Sequence, residues 1–200
     1  MQSLYALKPG FQAILRPLVA RIARAGITAN FVTLASLAIC AAYGALLAAT
    51  GSKAALLSLP AILLLRMALN AIDGMLAREH AQASALGGRL NEFGDVLSDI
   101  CLYLPFAVFG VPPALVVLVV LTGILAEFAG VASHTHGGLR SYAGPFGKSD
   151  RAAFFALIAV ALALFKPPAI VIAGLFVLAA AGGLLTTFNR LMCGARSCRN

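Results

Sequence analysis

Charge is scarce in this sequence: 11% of its 200 residues are Asp, Glu, Lys or Arg, against about a quarter in a typical water-soluble domain. With 61% hydrophobic residues and a mean hydropathy of +0.95, a closed soluble fold would have more apolar surface than it could cover. That excludes an ordinary soluble domain and makes a bilayer the expected solvent. Acidic groups are the rarer sign, seven against fifteen Lys and Arg, which leaves a net charge of +8. The basic residues sit between long apolar runs, so the expected anionic partner is lipid and not nucleic acid.

Ligands for soft metals are also few. Of four cysteines, Cys40 and Cys101 lie inside apolar runs, and Cys193 with Cys198 has the wrong spacing for a zinc pair. They read as packing residues and tail thiols. His134 and His136 form an H-x-H in a polar stretch without further ligands nearby. No short apolar core ending in small residues follows the basic N-terminus, so no signal peptide is expected.

What is abundant is apolar sequence in lengths that match a membrane. A helix needs roughly 20 apolar residues to cross the hydrocarbon core. Runs of that kind, bounded by Gly, Pro or charge, extend over 29–50, 54–78, 90–109, 112–133, 151–165 and 168–185. Before them Leu4, Leu7, Phe11, Ile14, Leu15, Leu18 and Ile22 recur at helical spacing among Lys and Arg, the pattern of a helix lying in the interface. The expected fold class is therefore all-α integral membrane: an N-terminal interfacial amphipathic helix over 1–25, six transmembrane helices in one domain over 26–190, and a tail over 191–200.

Orientation follows from the basic residues. With the N-terminus inside, twelve Lys and Arg fall on inner segments and only Lys53 and Lys166 fall outside, with Arg66 within a span. Positive charge is retained on the cytoplasmic side, so both termini and the loop after the second span are expected there.

Ionisable residues within spans are costly and mark function by default, which singles out Arg66, Asp73, Asp95, Asp99 and Glu127. Arg66, Asn70, Asp73 and Ala77 are spaced by 4, 3 and 4 residues, and Gly87, Asn91, Asp95 and Asp99 by four each. Each set lines one helix face, drifting by about 40° per four-residue step. Carboxylate and amide oxygens brought together in this way suit a hard cation, Mg²⁺ or Mn²⁺, with water and phosphate completing its shell. Gly74, Gly87 and Gly88 leave room for close approach, and Arg78 can fork onto phosphate or carboxylate. The bland alternative is an ion-pair network that only ties helices together.

These residues resemble the signature of the CDP-alcohol phosphotransferase family, D-x-x-D-G-x-x-A-R, eight residues, G-x-x-x-D-x-x-x-D. Asn70, Asp73, Gly74, Ala77, Arg78, Gly87, Asn91 and Asp95 stand at its fixed positions, and Gly26 to Thr33 is similar to the family's G-x-T-P-N-x-x-T approach to its first span. Ala29 stands where Pro is usual. The resemblance implies transfer of a phosphoalcohol from a CDP-linked donor, commonly CDP-diacylglycerol, to a polar or anionic acceptor alcohol with release of CMP. It implies metal ligation by Asp73, Asp95, Asn70 and Asn91, and catalysis by Asp95, with Asp99 one turn further on. Gly74, Ala77, Arg78, Gly87, Asn30 and Thr33 would border the nucleotide. Lys148, Arg151 and Arg140 would meet an anionic acceptor or lipid phosphate. A bacterial inner membrane and a homodimer are the setting it suggests.

Asn70 and Asn91 stand where the family has Asp. Each amide keeps a carbonyl ligand but removes a negative charge, leaving two family carboxylates instead of four to oppose two dications. The alternative reading is a degenerate relative that holds CDP-lipid and metal without turnover.

Overall fold

A computed structural model describes residues 8–135 and 141–197. Among them the chain is all-helical: α1 (Lys8–Arg24), α2 (Ala29–Thr50), α3 (Lys53–Glu79), α4 (Ala85–Tyr103), a 3₁₀ segment (Leu104–Phe109), α5 (Pro113–Thr135), α6 (Lys148–Leu164) and α7 (Ala169–Ser197). The helices group into two compact units that divide after Leu102.

In the first unit, residues 8–102, the turns explain themselves from local chemistry. Gly26 adopts φ +74°, so it closes α1 in the left-handed conformation that costs glycine little, and Ile27 N donates back to Ile22 O. Two residues later the Thr28 hydroxyl accepts from Phe31 N and starts α2. The next donor, Ala29 N, bonds Gln82 Oε1 at 2.7 Å, which ties the start of α2 to the loop after α3. That loop ends where Ser84 Oγ accepts from Gly87 N and starts α4 five residues before its apolar run begins.

Packing in this unit relies on small residues, as expected where lipid removes the hydrophobic drive between helices. A Cβ on Gly44 of α2 would collide with the Cys101 carbonyl of α4, so only glycine permits that approach. The α1 helix is pinned by Val19, wholly buried with Val32, Ile72, Met75 and Leu76. Its opposite side leaves Ile14 and Leu18 exposed beside Arg21 and Arg24.

The second unit, residues 103–197, is built on aromatic stacking and close α5–α7 packing. Tyr103 stacks on Phe155 with ring centroids 3.9 Å apart, and Phe154 and Phe176 meet Phe155 edge-on. Gly183 of α7 lies against Thr122 of α5, where a Cβ would stand 2.8 Å from that residue's own Cβ.

Among the described residues four helices are long and apolar enough to cross a membrane: α2, α3, α5 and α7, the last two over Pro113–Ala132 and Ala169–Cys193. The chain is thus an integral membrane protein. The other two expected spans correspond to α4 and α6, with 19 and 17 helical residues, which carry Arg89, Glu92, Asp95 and Asp99 in one and Lys148, Asp150 and Arg151 in the other. The last span is longer than expected, because α7 continues past Leu185 to Ser197.

Candidate active site

The polar residues of the first unit meet as rungs between helices. On α3, Asn70 Nδ2 donates to Asp95 Oδ1 of α4 at 2.8 Å. One turn earlier on α3, Arg66 Nη1 lies 2.6 Å from Asp99 Oδ1, while Nη2 donates to the Asp95 carbonyl at 2.8 Å and stands 3.8 Å from Asp95 Oδ1. Arg66 is only 2% exposed, so its charge is kept in the interior by these partners. Of the two expected faces, Arg66 and Asn70 of α3 meet Asp95 and Asp99 of α4 at these rungs.

Asp73 turns elsewhere. Its Oδ2 lies 2.7 Å from Thr33 Oγ1 on α2, and that hydroxyl is also 3.1 Å from Ala29 O of its own helix. The hydroxyl has one proton, and an ionised carboxylate is the stronger acceptor. Spacing could not reveal this partner, since it lies on a third helix. Asn30 and Gly87 are neighbours: a Cβ on Gly87 would come 2.6 Å from Asn30 Oδ1 and 2.9 Å from Ser84 Oγ. Gly74 serves Arg78 in the same way, with a Cβ there 3.2 Å from both of its terminal nitrogens. Arg78 is exposed, Ala77 packs on the Val19 cluster, and Asn91 is half-buried one turn before Asp95.

The donor set fits a hard cation in kind. Asp73, Asp95 and the Asn70 carbonyl offer oxygen, the ligand type such an ion prefers. Among the described residues no group of three His, Cys, Asp or Glu is placed to hold a metal ion. Two carboxylates match an ion that takes the rest of its ligands from water and substrate phosphate.

The second unit holds its own buried ion network. Arg151 Nη2 lies 3.0 Å from Glu127 Oε1, and Arg190 Nη1 lies 3.3 Å from Glu127 Oε2 while donating to Ala126 O at 2.7 Å. Arg151 and Arg190 are 2% and 3% exposed. Sequence reading marked Glu127 as costly but did not join it to either arginine; a carboxylate in one apolar span with basic residues at the ends of two others was the available signal. Lys148 opens α6 and is half-buried. Arg140 lies outside the described residues.

Comparison with known proteins decides the family. Residues 26–187 match the description CDP-alcohol phosphatidyltransferase, a stretch that contains every signature position described above. The chain belongs to this family. Among curated relatives, this CDP-alcohol phosphatidyltransferase family member is 50% identical over 164 residues to inner membrane protein YnbA of Escherichia coli, covering 82% of each chain. Its fold is similar to that of phosphatidylinositol phosphate synthase of Mycobacterium tuberculosis. One such crystal structure has CDP-DAG bound, with a TM-score of 0.77 and 19% identity over 92% of this chain and 95% of that one. A second, in complex with manganese and citrate, gives 0.75 and 18% over 90% and 88%. At such identities the likeness establishes the fold of this family member.

Proposed function

We propose that this protein transfers a phosphatidyl or related phosphoalcohol group from CDP-diacylglycerol, or another CDP-alcohol, to a polar alcohol and releases CMP in phospholipid biosynthesis. The observation that carries the reading is that signature residues of α3 pair with two other helices, Asn70 with Asp95 of α4 and Asp73 with Thr33 of α2. The matched family and the CDP-DAG-bound structural neighbour support it.

In this reading Asp73 and Asp95, with the carbonyls of Asn70 and Asn91, would hold Mg²⁺ or Mn²⁺, which when bound would offset negative charge on the donor's pyrophosphate. Thr33 orients the Asp73 carboxylate, and Asn70 and Arg66 orient Asp95. The acceptor oxygen bonds the phosphorus that carries the lipid alcohol, and the bond from that phosphorus to the bridging oxygen breaks. The electron pair leaves with CMP, and the acceptor's proton passes to Asp95. Gly74, Ala77, Gly87, Asn30 and Thr33 border the nucleotide, with Arg78 pairing with phosphate. Asp99 acts through Arg66 as a positioning residue.

Lys148 and Arg151 serve an anionic acceptor, with the Arg151 charge shared with Glu127. The fold is read as six spans in the bacterial inner membrane, α4 and α6 completing the count, with α1 in the interface and both termini and the site facing the cytoplasm. The basic residues gathered on the inner segments support this orientation.

The test is CMP release by purified protein given CDP-diacylglycerol, Mg²⁺ or Mn²⁺ and pooled alcohols, with the lipid product identified by mass spectrometry. Metal-dependent CMP and a new phospholipid are expected; correctly folded protein that neither binds the donor nor releases CMP would refute the reading. A second reading, donor binding without turnover, is favoured by the amide hydrogen that Asn70 turns toward Asp95. It holds if Asn70→Asp with Asn91→Asp creates CMP release that the parent lacks.

A further inference from the structure

Asp95 is the family carboxylate that meets both an amide and a guanidinium in this chain. Its Oδ1 lies 2.8 Å from an atom of the Asn70 amide. Two oxygens with no hydrogen between them repel at that distance, so the amide must present its nitrogen, as the geometry has it. Asn70 therefore gives Asp95 a donor, whereas an aspartate there would have given a second acceptor that needs a cation between the two.

Arg66 adds a permanent positive charge to the same group. Its Nη2 bonds the Asp95 main-chain oxygen at 2.8 Å and lies 3.8 Å from the same Oδ1. A guanidinium does not lose its proton in a protein. Asp99, 2.6 Å from Nη1, balances the charge and makes its burial tolerable. Arg66, Asp95 and Asp99 sum to −1, and Asp73, one turn along α3 from Asn70, brings the acidic side of the site to −2 before Arg78 is counted. That opposes one dication, and a second one near Asp95 would stand beside a fixed guanidinium in a poorly screened interior.

We infer that Arg66 and Asn70 supply, through nitrogen-bound hydrogens, the positive charge that a second dication would bring to Asp95, so that the site takes one divalent cation per chain. The inference rests on the reading of the site under Proposed function. It makes Arg66 a positioning residue with an electrostatic role, where a plain helix brace would leave the number of bound ions unaffected.

The test counts ions and does not depend on turnover. The full chain in detergent micelles with CDP-diacylglycerol is titrated with Mn²⁺, and bound ions are counted by electron paramagnetic resonance and elemental analysis. The expected result is one Mn²⁺ per chain with the six-line spectrum of an isolated ion. In Asn70→Asp, two carboxylates would face each other, and the count should rise from one to two with a spin-coupled spectrum.

Two ions in the unsubstituted protein would overturn the inference, and that measurement needs no variant to fold. A count that stays at one in folded Asn70→Asp would overturn it as well. No bound Mn²⁺ would also overturn it: with CMP still released, the proposed function survives alone, and with neither donor binding nor CMP, both fall.

Discussion

Arg66 and Asp99 form a buried ion pair between α3 and α4, with Nη1 and Oδ1 2.6 Å apart and Arg66 only 2% exposed. Because the other arm of the guanidinium holds the Asp95 main chain, this pair fixes the position of a signature carboxylate from one turn away. A charge in the interior is tolerated only with its partner, so the pair couples stability to the geometry of the site.

Removing one partner should therefore cost more than removing both. Asp99→Ala leaves Arg66 buried without its counter-charge and is expected to destabilise the protein by about 3–5 kcal/mol, while Arg66→Met with Asp99→Leu should recover most of that loss. Thermal unfolding in detergent, followed for both variants, checks the order.

Asp95→Asn tests the proton acceptor. The amide keeps the shape but cannot take a proton, so CMP release should fall by about 10²–10⁴-fold, the usual range for a general base. Donor binding, measured separately with CDP-diacylglycerol at saturating Mg²⁺, separates this loss from any that comes through Asp95 as a metal ligand.

Metal removal should stop the reaction reversibly. Dialysis against a chelator is expected to abolish CMP release, and Mg²⁺ or Mn²⁺ should restore it where Zn²⁺ does not, because the donor set is oxygen only. Restoration by Zn²⁺ alone would contradict the assignment of Asp73 and Asp95 as hard-cation ligands.

Gly87→Ala places a methyl group 2.6 Å from Asn30 Oδ1 and 2.9 Å from Ser84 Oγ. Both side-chain ends must give way, and here that displaces a residue assigned to the nucleotide. A raised KM for the CDP-linked donor with a smaller change in kcat is the expected signature. Gly88→Ala, where a Cβ meets nothing within 4 Å, is the matched control.

Glu127→Gln removes the charge that Arg151 and Arg190 share at 3.0 and 3.3 Å. Two buried guanidinium groups would then face a neutral amide, and a loss of about 3–5 kcal/mol is expected in thermal unfolding. Arg190→Met in the Glu127→Gln background should lessen the loss.

The helices themselves were largely legible in the sequence, because apolar runs of membrane length are a local property. Their ends were less so. The α4 helix begins at Ala85, ahead of its apolar run, because Ser84 supplies a cap, and α7 runs past Leu185 because Arg190 finds Glu127 and Ala126 O and so does not end the helix. The spacing of Asn70, Asp73, Asn91 and Asp95 likewise put the chemistry on helix faces, but it assigned Asp73 no partner on α2.

The sequence by itself determined the solvent, the helical class and the identity of the signature residues, since transfer free energy and the 3.6-residue period act over neighbouring positions. Only the tertiary structure decided which groups face each other. Asp73 meets Thr33, Asn70 meets Asp95 and Arg151 meets Glu127 across 40, 25 and 24 residues of chain. Partners so far apart are chosen by packing and by the cost of burying an unpaired charge, and neither is written in the spacing of any one helix.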